Sequence, residues 1–239
     1  MRIFYIVIFL FFGCLYATNQ ELFLQGNKEY EQHSYQKALD TYHTIENKGA
    51  SVWYNMGLCC YNMGEYAQAL VYWHKAEQAS NSRDMLDKIA RNKKDTQERL
   101  QLYVPHSYSQ CIRDTIIYYT SCSSFIWWQL LFLMVWYMHI FYMRTFWRKR
   151  RWFLILFLWV ITIALAIIMS VYYIDSHKHQ AIVIKPSTAL MIGPDNNFAS
   201  KDIVPMGQQV EVQQKQDGWI KIIYASKRGW VPAESLALV

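Results

Sequence analysis

Apolar positions follow three different patterns along this chain, and each pattern predicts a different kind of element. The densest lies at 125–174. Phe125 to Met143 is interrupted only by Gln129 and His139, and Trp152 to Ile174 holds nothing more polar than tyrosine, Thr162 and Ser170. About 20 apolar residues, at about 1.5 Å each, cross a bilayer core of about 30 Å. The pattern therefore predicts two transmembrane helices, 125–143 and 152–174. Gln129 and His139 are tolerable on a face packed against the other helix. Between the runs, the segment MRTFWRKRRW carries Arg144, Arg148, Lys149, Arg150 and Arg151 and no acid. A connection this short, 144–151, makes the two helices a hairpin, and its charge assigns the tip to the cytoplasm. Both flanking regions then lie on the other side.

The N-terminus agrees. Arg2, an apolar stretch from Ile3 to Phe12, and small residues up to Ala17 follow the order of a secretory signal, expected at 1–17. Cys14 after Gly13 leaves lipidation open as an alternative, and an uncleaved anchor would leave the same domains outside.

Residues 18–101 carry a helical period and an internal repeat. In WYNMGLCCYNMGEYAQALVYWHKA, the residues Trp53, Met56, Gly57, Tyr61, Gly64, Tyr66, Ala69, Leu70, Trp73 and Ala76 fall at the positions of a tetratricopeptide repeat. Gly57 and Ala69 are small where paired helices cross closely. Gly64 ends the first helix, Tyr66 packs under the turn, and Trp53 and Trp73 fill the space between helices. A weaker copy precedes it, with Gly26, Tyr30, Tyr35, Ala38, Leu39 and Tyr42, and with His33 where glycine is usual. The repeats are expected at about 19–47 and 50–81. Met85, Leu86 and Ile89 form a partial apolar stripe in an otherwise charged segment, the pattern of a capping helix that closes the stack. Similarity to peptide-binding repeat domains makes Asn27 and Asn55 candidate groove residues that hold a ligand backbone. The lysine of a full carboxylate clamp is missing, because its position in the first repeat is Phe23.

Residues 102–124 are expected to link the stack to the membrane. Pro105 breaks the helix, and Ile112, Ile116, Ile117, Tyr118 and Tyr119 predict a short interfacial helix. From 181 to 239 the period becomes two. Trp219, Lys221 and Ile223 alternate with Ile220, Ile222 and Tyr224, and Asp217-Gly218 and Lys227-Arg228-Gly229 supply turns. Gly207, Val210, Val212, Trp219, Gly229, Trp230, Val231 and Leu236 resemble the pattern of a bacterial SH3 domain, for which a five-stranded small barrel is expected. Trp219 and Trp230 are candidates for an aromatic recognition surface.

Charge changes this picture little. The chain has 24 Lys+Arg and 18 Asp+Glu. Without the five cations at the hairpin tip it is nearly neutral, so no basic face is left for nucleic acid. The seven histidines are scattered. His177 and His179 have no companion carboxylate or cysteine cluster for a metal, and there is no phosphate loop or nucleophile elbow. No catalytic, cofactor-binding or metal-binding residue is expected. Cys59-Cys60 reads as two small buried residues. Cys111 and Cys122 could pair in an oxidising compartment, but spacing alone does not bring them within reach.

The expected fold is thus a multidomain membrane protein: an all-α tetratricopeptide array, a two-helix transmembrane hairpin and a small all-β SH3-like barrel. This order resembles the Bat-type tetratricopeptide–SH3 membrane proteins of bacterial aerotolerance operons. The resemblance implies a non-enzymatic partner of von Willebrand-type membrane proteins in an envelope complex, with both domains on the periplasmic side of the inner membrane. Two functions are carried forward. One is a scaffold that holds a protein or peptide in the repeat groove. The other is a tether that grips peptidoglycan peptide through the SH3 domain.

Overall fold

In a computed structural model, residues 19–102, 115–116, 125–148, 152–176, 179–225 and 227–239 are described. The expected signal peptide with Cys14, nearly all of the linker with Cys111 and Cys122, residues 149–151 and His177 lie outside them.

Two helix pairs come first. Residues 19–31 (α1) and Tyr35–Thr44 (α2) form one, Ala50–Asn62 (α3) and Tyr66–Ala79 (α4) the other, and Arg83–Arg99 (α5) follows. In both pairs a first-helix glycine seats an aromatic ring of the second helix. A Cβ at Gly26 would stand 2.5 Å from the Tyr42 ring, and one at Gly57 would overlap Trp73 Nε1 and Cδ1 and stand 2.9 Å from Cε2. Glycine is required at both positions because the ring occupies the space of a side chain. Ala38, Ala69 and Ala76 are fully buried where the helices meet. The turn within each pair passes through one residue of positive φ, His33 at 58° and Gly64 at 83°. His33 takes the conformation that glycine adopts freely, and its Nδ1 lies 2.7 Å from Tyr35 Oη. Helix α5 buries Leu86, Ile89 and Thr96, and its remaining surface is charged, as a cap requires.

A second unit comprises helices Phe125–Arg148 (α6) and Trp152–Ser176 (α7). The helical segment Leu156–Ile174 is 19 residues long and apolar enough to span a bilayer, while Ile126–Phe141 is a shorter apolar stretch. His139 is buried, with its ring 4.8 Å from that of Trp159 in a T-shaped contact. Gln129, in contrast, is exposed rather than packed between helices. The expected loop at 144–151 is also revised. Residues 144–148 continue α6, since arginine is a good helix former and cations favour a helix C-terminus. Only 149–151 lie between the helices.

The C-terminal domain is one antiparallel sheet of seven strands: β1 Gln180–Val183, β2 Thr188–Met191, β3 Ser200–Val204, β4 Gln209–Gln216, β5 Trp219–Tyr224, β6 Lys227–Pro232 and β7 Leu236–Leu238. The order is β3-β2-β6-β5-β4-β1-β7. This exceeds the five strands expected, because short strands at both ends of the domain pair with each other. Trp230 lies within β6, so the chain has one more strand after it. Ala181, Val183, Leu190, Val204, Val210, Ile220, Ile222, Val231 and Leu236 form the domain core.

Strands β1 and β7 also serve a second core. Ile182 is 3% exposed, and it belongs to the core of the repeat stack. Ile184, Ala237 and Val239 pack against that same core. At the turn before β4, a Cβ on Gly207 would stand 2.5 Å from Leu100, 3.2 Å from Leu102 and 3.4 Å from Leu70. Residues from before α6 and from after α7 therefore fold into one unit.

Candidate functional site

Two surfaces have the chemistry to recognise a ligand. The first runs across the first helices of the repeats. Tyr42, buried under Gly26, donates its hydroxyl to Asn27 Oδ1 at 2.7 Å. Asn55 donates Nδ2 to Asn27 Oδ1 at 2.9 Å and to Tyr42 Oη at 3.3 Å. The two asparagines proposed from sequence are thus brought together by α1 and α3, and they bond to one another both directly and through a buried tyrosine. The network fixes the orientation of both amides. Asn27 Nδ2 and Asn55 Oδ1 have no partner among the described residues, so the pair presents one donor and one acceptor, the complement of a peptide unit. Burial pushes the Tyr42 hydroxyl up to about 12, so it stays a proton donor at any physiological pH.

Similar rungs flank this pair. Asn62 donates to Tyr30 Oη at 2.9 Å, Asn92 donates to Tyr54 Oη at 3.0 Å, and Tyr61 donates to Asp95. Each joins neighbouring first helices, with α5 continuing the series. Phe23 packs near the Tyr42 ring, at 6.1 Å between centroids, so an apolar side chain occupies the position where a clamp would need lysine. Trp53 is half-buried and packs against the repeat core between the two helices of its pair, with part of its ring open to the surface. It stacks on Tyr72 at 5.9 Å and carries Lys75 at 5.0 Å and Lys48 at 5.7 Å from its ring. Trp73 is the interior ring, and its Nε1 donates to the Tyr54 carbonyl at 3.2 Å. Tyr66 meets Tyr61 edge-on at the turn, as its position implied.

The second surface is a cleft of about 370 Å³ on the SH3 domain, lined by Lys215, Gln216, Asp217, Gly218, Trp219, Ile220, Ala233, Leu236 and Leu238. A two-residue turn shapes it. Gln216 pairs with Trp219, and Asp217 and Gly218 between them have φ of 45° and 80°. Asp-Gly suits that turn because both central residues are left-handed. Trp219 therefore lies at the cleft, half-buried, with Lys215 and Asp217 in the same lining. Trp230 does not. It is 8% exposed, opposite Lys221 and Met191, with Lys221 Nζ 5.8 Å from its ring. Although the sequence grouped the two tryptophans, the structure separates them into a cleft wall and a buried ring.

Cys59 and Cys60 are both fully buried in the repeat core, and burial pushes both thiols up to about 12. They pack as small apolar residues. Among the described residues no three His, Cys, Asp or Glu side chains gather as a metal site.

Comparison with known families agrees with both domains. Residues 50–78 match the family model of the tetratricopeptide repeat, and residues 192–237 match that of the bacterial SH3 domain. No curated protein matches the chain. Domains of these two kinds bind proteins, peptides or cell-wall peptide.

Proposed function

We propose that this chain is a non-enzymatic, membrane-anchored scaffold of the bacterial envelope. In this reading α6 and α7 form a transmembrane hairpin, and the repeats and the SH3 domain stand together on the extracytoplasmic side. The shared core carries the reading. A chain that leaves a folded unit and later rejoins it crosses a bilayer an even number of times. Helix α7 has the length for one crossing, so a second is needed, and α6 is the other long apolar helix among the described residues. Its exposed side chains include Ile126, Leu133, Met134, Trp136 and Phe141, a surface suited to lipid. Its shorter apolar stretch is accommodated by local thinning of the bilayer. The cationic residues at 144–151 orient the tip inward.

In this scaffold the Asn27–Asn55 pair engages an extended peptide of a partner protein, and resemblance in domain order points to other envelope membrane proteins as partners. In a cysteine-free background, a cysteine at Asn197 should react with an impermeant reagent added to intact cells, and one at Thr145 should not. The reverse pattern would overturn the topology. Pull-down of the intact protein from membranes should bring a partner that Asn27→Ala with Asn55→Ala releases.

A second reading is favoured by the Trp219 cleft, which is open and flanked by Lys215 and Asp217. There the SH3 domain grips peptidoglycan peptide and tethers the membrane to the wall. Co-sedimentation of the detergent-solubilised protein with purified sacculi, lost in Trp219→Ala, would support the tether. Absence of sedimentation would leave the scaffold.

A further inference from the structure

The repeats and the SH3 domain meet through side chains that alternate along two strands. In β1, Ala181 and Val183 enter the SH3 core, whereas Ile182 and the following Ile184 enter the repeat core. In β7, Leu236 enters the SH3 core, while Ala237 and the following Val239 pack on the repeats. The strands are in register, with Ile182 opposite Ala237 and Val183 opposite Leu236. Both therefore present matching faces to both cores. On the repeat side the contact uses α4, through Leu70, and the chain leaving α5, through Leu100 and Leu102. Leu238, 45% exposed, lines the Trp219 cleft instead.

We propose that the SH3 domain is a fixed buttress of the repeat stack rather than a freely tethered module. β1 and β7 are common to both cores, and the two domains fold and open as one body. This follows from the burial pattern. A tethered domain would show polar residues on the outer face of its end strands, since an antiparallel sheet with one solvated face alternates apolar and polar. Here the face of β1 that begins with Gln180 at the strand's start continues as Ile182 and, just past the strand, Ile184, and the SH3 domain covers Leu70 in turn. Undocking would expose both sets at once. Two consequences follow. The amide pair of the repeats and the cleft of the SH3 domain are held at a fixed separation, so one partner can span both. An apolar segment able to replace Ile182 and Ala237 on the repeats would release the SH3 domain.

The test reads each domain after a change in the other. Ala237→Arg alters only the SH3 side, and Leu102→Arg alters only the repeat side, beyond the end of α5. Each variant is made in the full chain, purified in detergent and followed by amide hydrogen exchange. Docking predicts that Ala237→Arg speeds exchange in α4 and at the end of α5, and that Leu102→Arg speeds exchange in β1 and β7. In both cases the expected change is about tenfold or more, as local opening replaces a closed interface. Protection across β5 reports whether the SH3 domain is still folded. Loss there in the Leu102→Arg variant would itself be the trans-domain effect predicted. If each substitution alters exchange only within its own domain, the buttress is wrong and the two domains are independent.

Discussion

Gly57→Ala adds one methyl group to a helix that, judged by propensity alone, should welcome it. Glycine in a helix interior is about 1 kcal/mol less favourable than alanine. The local expectation is therefore stabilisation. The structure predicts the opposite, because the new Cβ would overlap Trp73, a side chain only 1% exposed and fixed by its Nε1 donating to the Tyr54 carbonyl. To make room, the indole must move within a filled core, at a typical overpacking cost of about 1–3 kcal/mol. If it moves far enough to break its hydrogen bond, a buried donor is left unsatisfied at about 1–3 kcal/mol more. Set against the gain of about 1 kcal/mol, these losses leave a net destabilisation of about 0–2 kcal/mol if the hydrogen bond holds and about 1–5 kcal/mol if it breaks. Gly49→Ala is the control, since nothing lies within 4 Å of a Cβ there. Its cost should be confined to about 0.5–1 kcal/mol, the loss on replacing glycine by alanine at the N-cap it occupies. Hydrogen exchange of peptides covering 50–79 in the full-length protein reports both variants. Protection in Gly57→Ala equal to or above that of the parent would show that α3 and α4 do not approach as described. The repeat register would then be wrong.

Acid should loosen the repeats. Burial, helped by the Lys93 charge and opposed by Glu77, pushes His74 down to about 4 from an ordinary 6.5. The neutral ring therefore contributes about 3 kcal/mol of stability that is complete above pH 6.5 and lost as pH falls towards 4. His74→Phe should flatten the stability profile over that window, and an unchanged slope would assign acid sensitivity elsewhere. Gly64→Ala has free space for its methyl group but a φ of 83°. It should cost about 1–2 kcal/mol through backbone strain alone, with Gly64→Asn milder, and equal urea midpoints for all three proteins would contradict this. Trp230→Ala, which empties a buried site, should cost about 3–5 kcal/mol. Trp219→Ala should leave melting nearly unchanged and instead weaken binding to sacculi or a captured partner; the reverse ranking would exchange the roles of the two rings.

How much of this was legible beforehand depends on which interaction fixes each feature. The repeats could be read because steric closeness demands small residues, and Gly26, Ala38, Gly57 and Ala69 leave that demand in the sequence. The Asp217-Gly218 turn could be read for a similar reason, since two left-handed residues restrict composition. Asn27 and Asn55 were legible as positions but not as partners. They are 28 residues apart in a repeat whose offset is 31, so equivalent positions do not coincide. Only the crossing of α1 and α3 over Tyr42 joins them. The tyrosine rungs from Tyr30, Tyr54 and Tyr61 were missed for the same reason. The basic segment misled differently. Its charge was read as a loop, but charge does not end a helix, and α6 continues to Arg148.

The contact between the domains left a signal that is easy to misjudge. Ala181 to Ile184 is a continuous apolar run, and such a run is what a strand buried on both faces requires. Within the SH3 domain alone, half of those side chains would have no reason to be apolar. A strand has a strict period of two, so a slip of one residue would turn Ile182 into the SH3 core and Val183 towards the repeats. The pairing of Ile182 with Ala237 therefore does more than complete the sheet. It determines which residues each core receives, and with them the position of the SH3 domain on α4. Leu238, two residues beyond Leu236 and so on the same face of β7, lines the cleft together with it. The surface that can meet a ligand and the surface that holds the repeats are thus set by the register of one short strand pair.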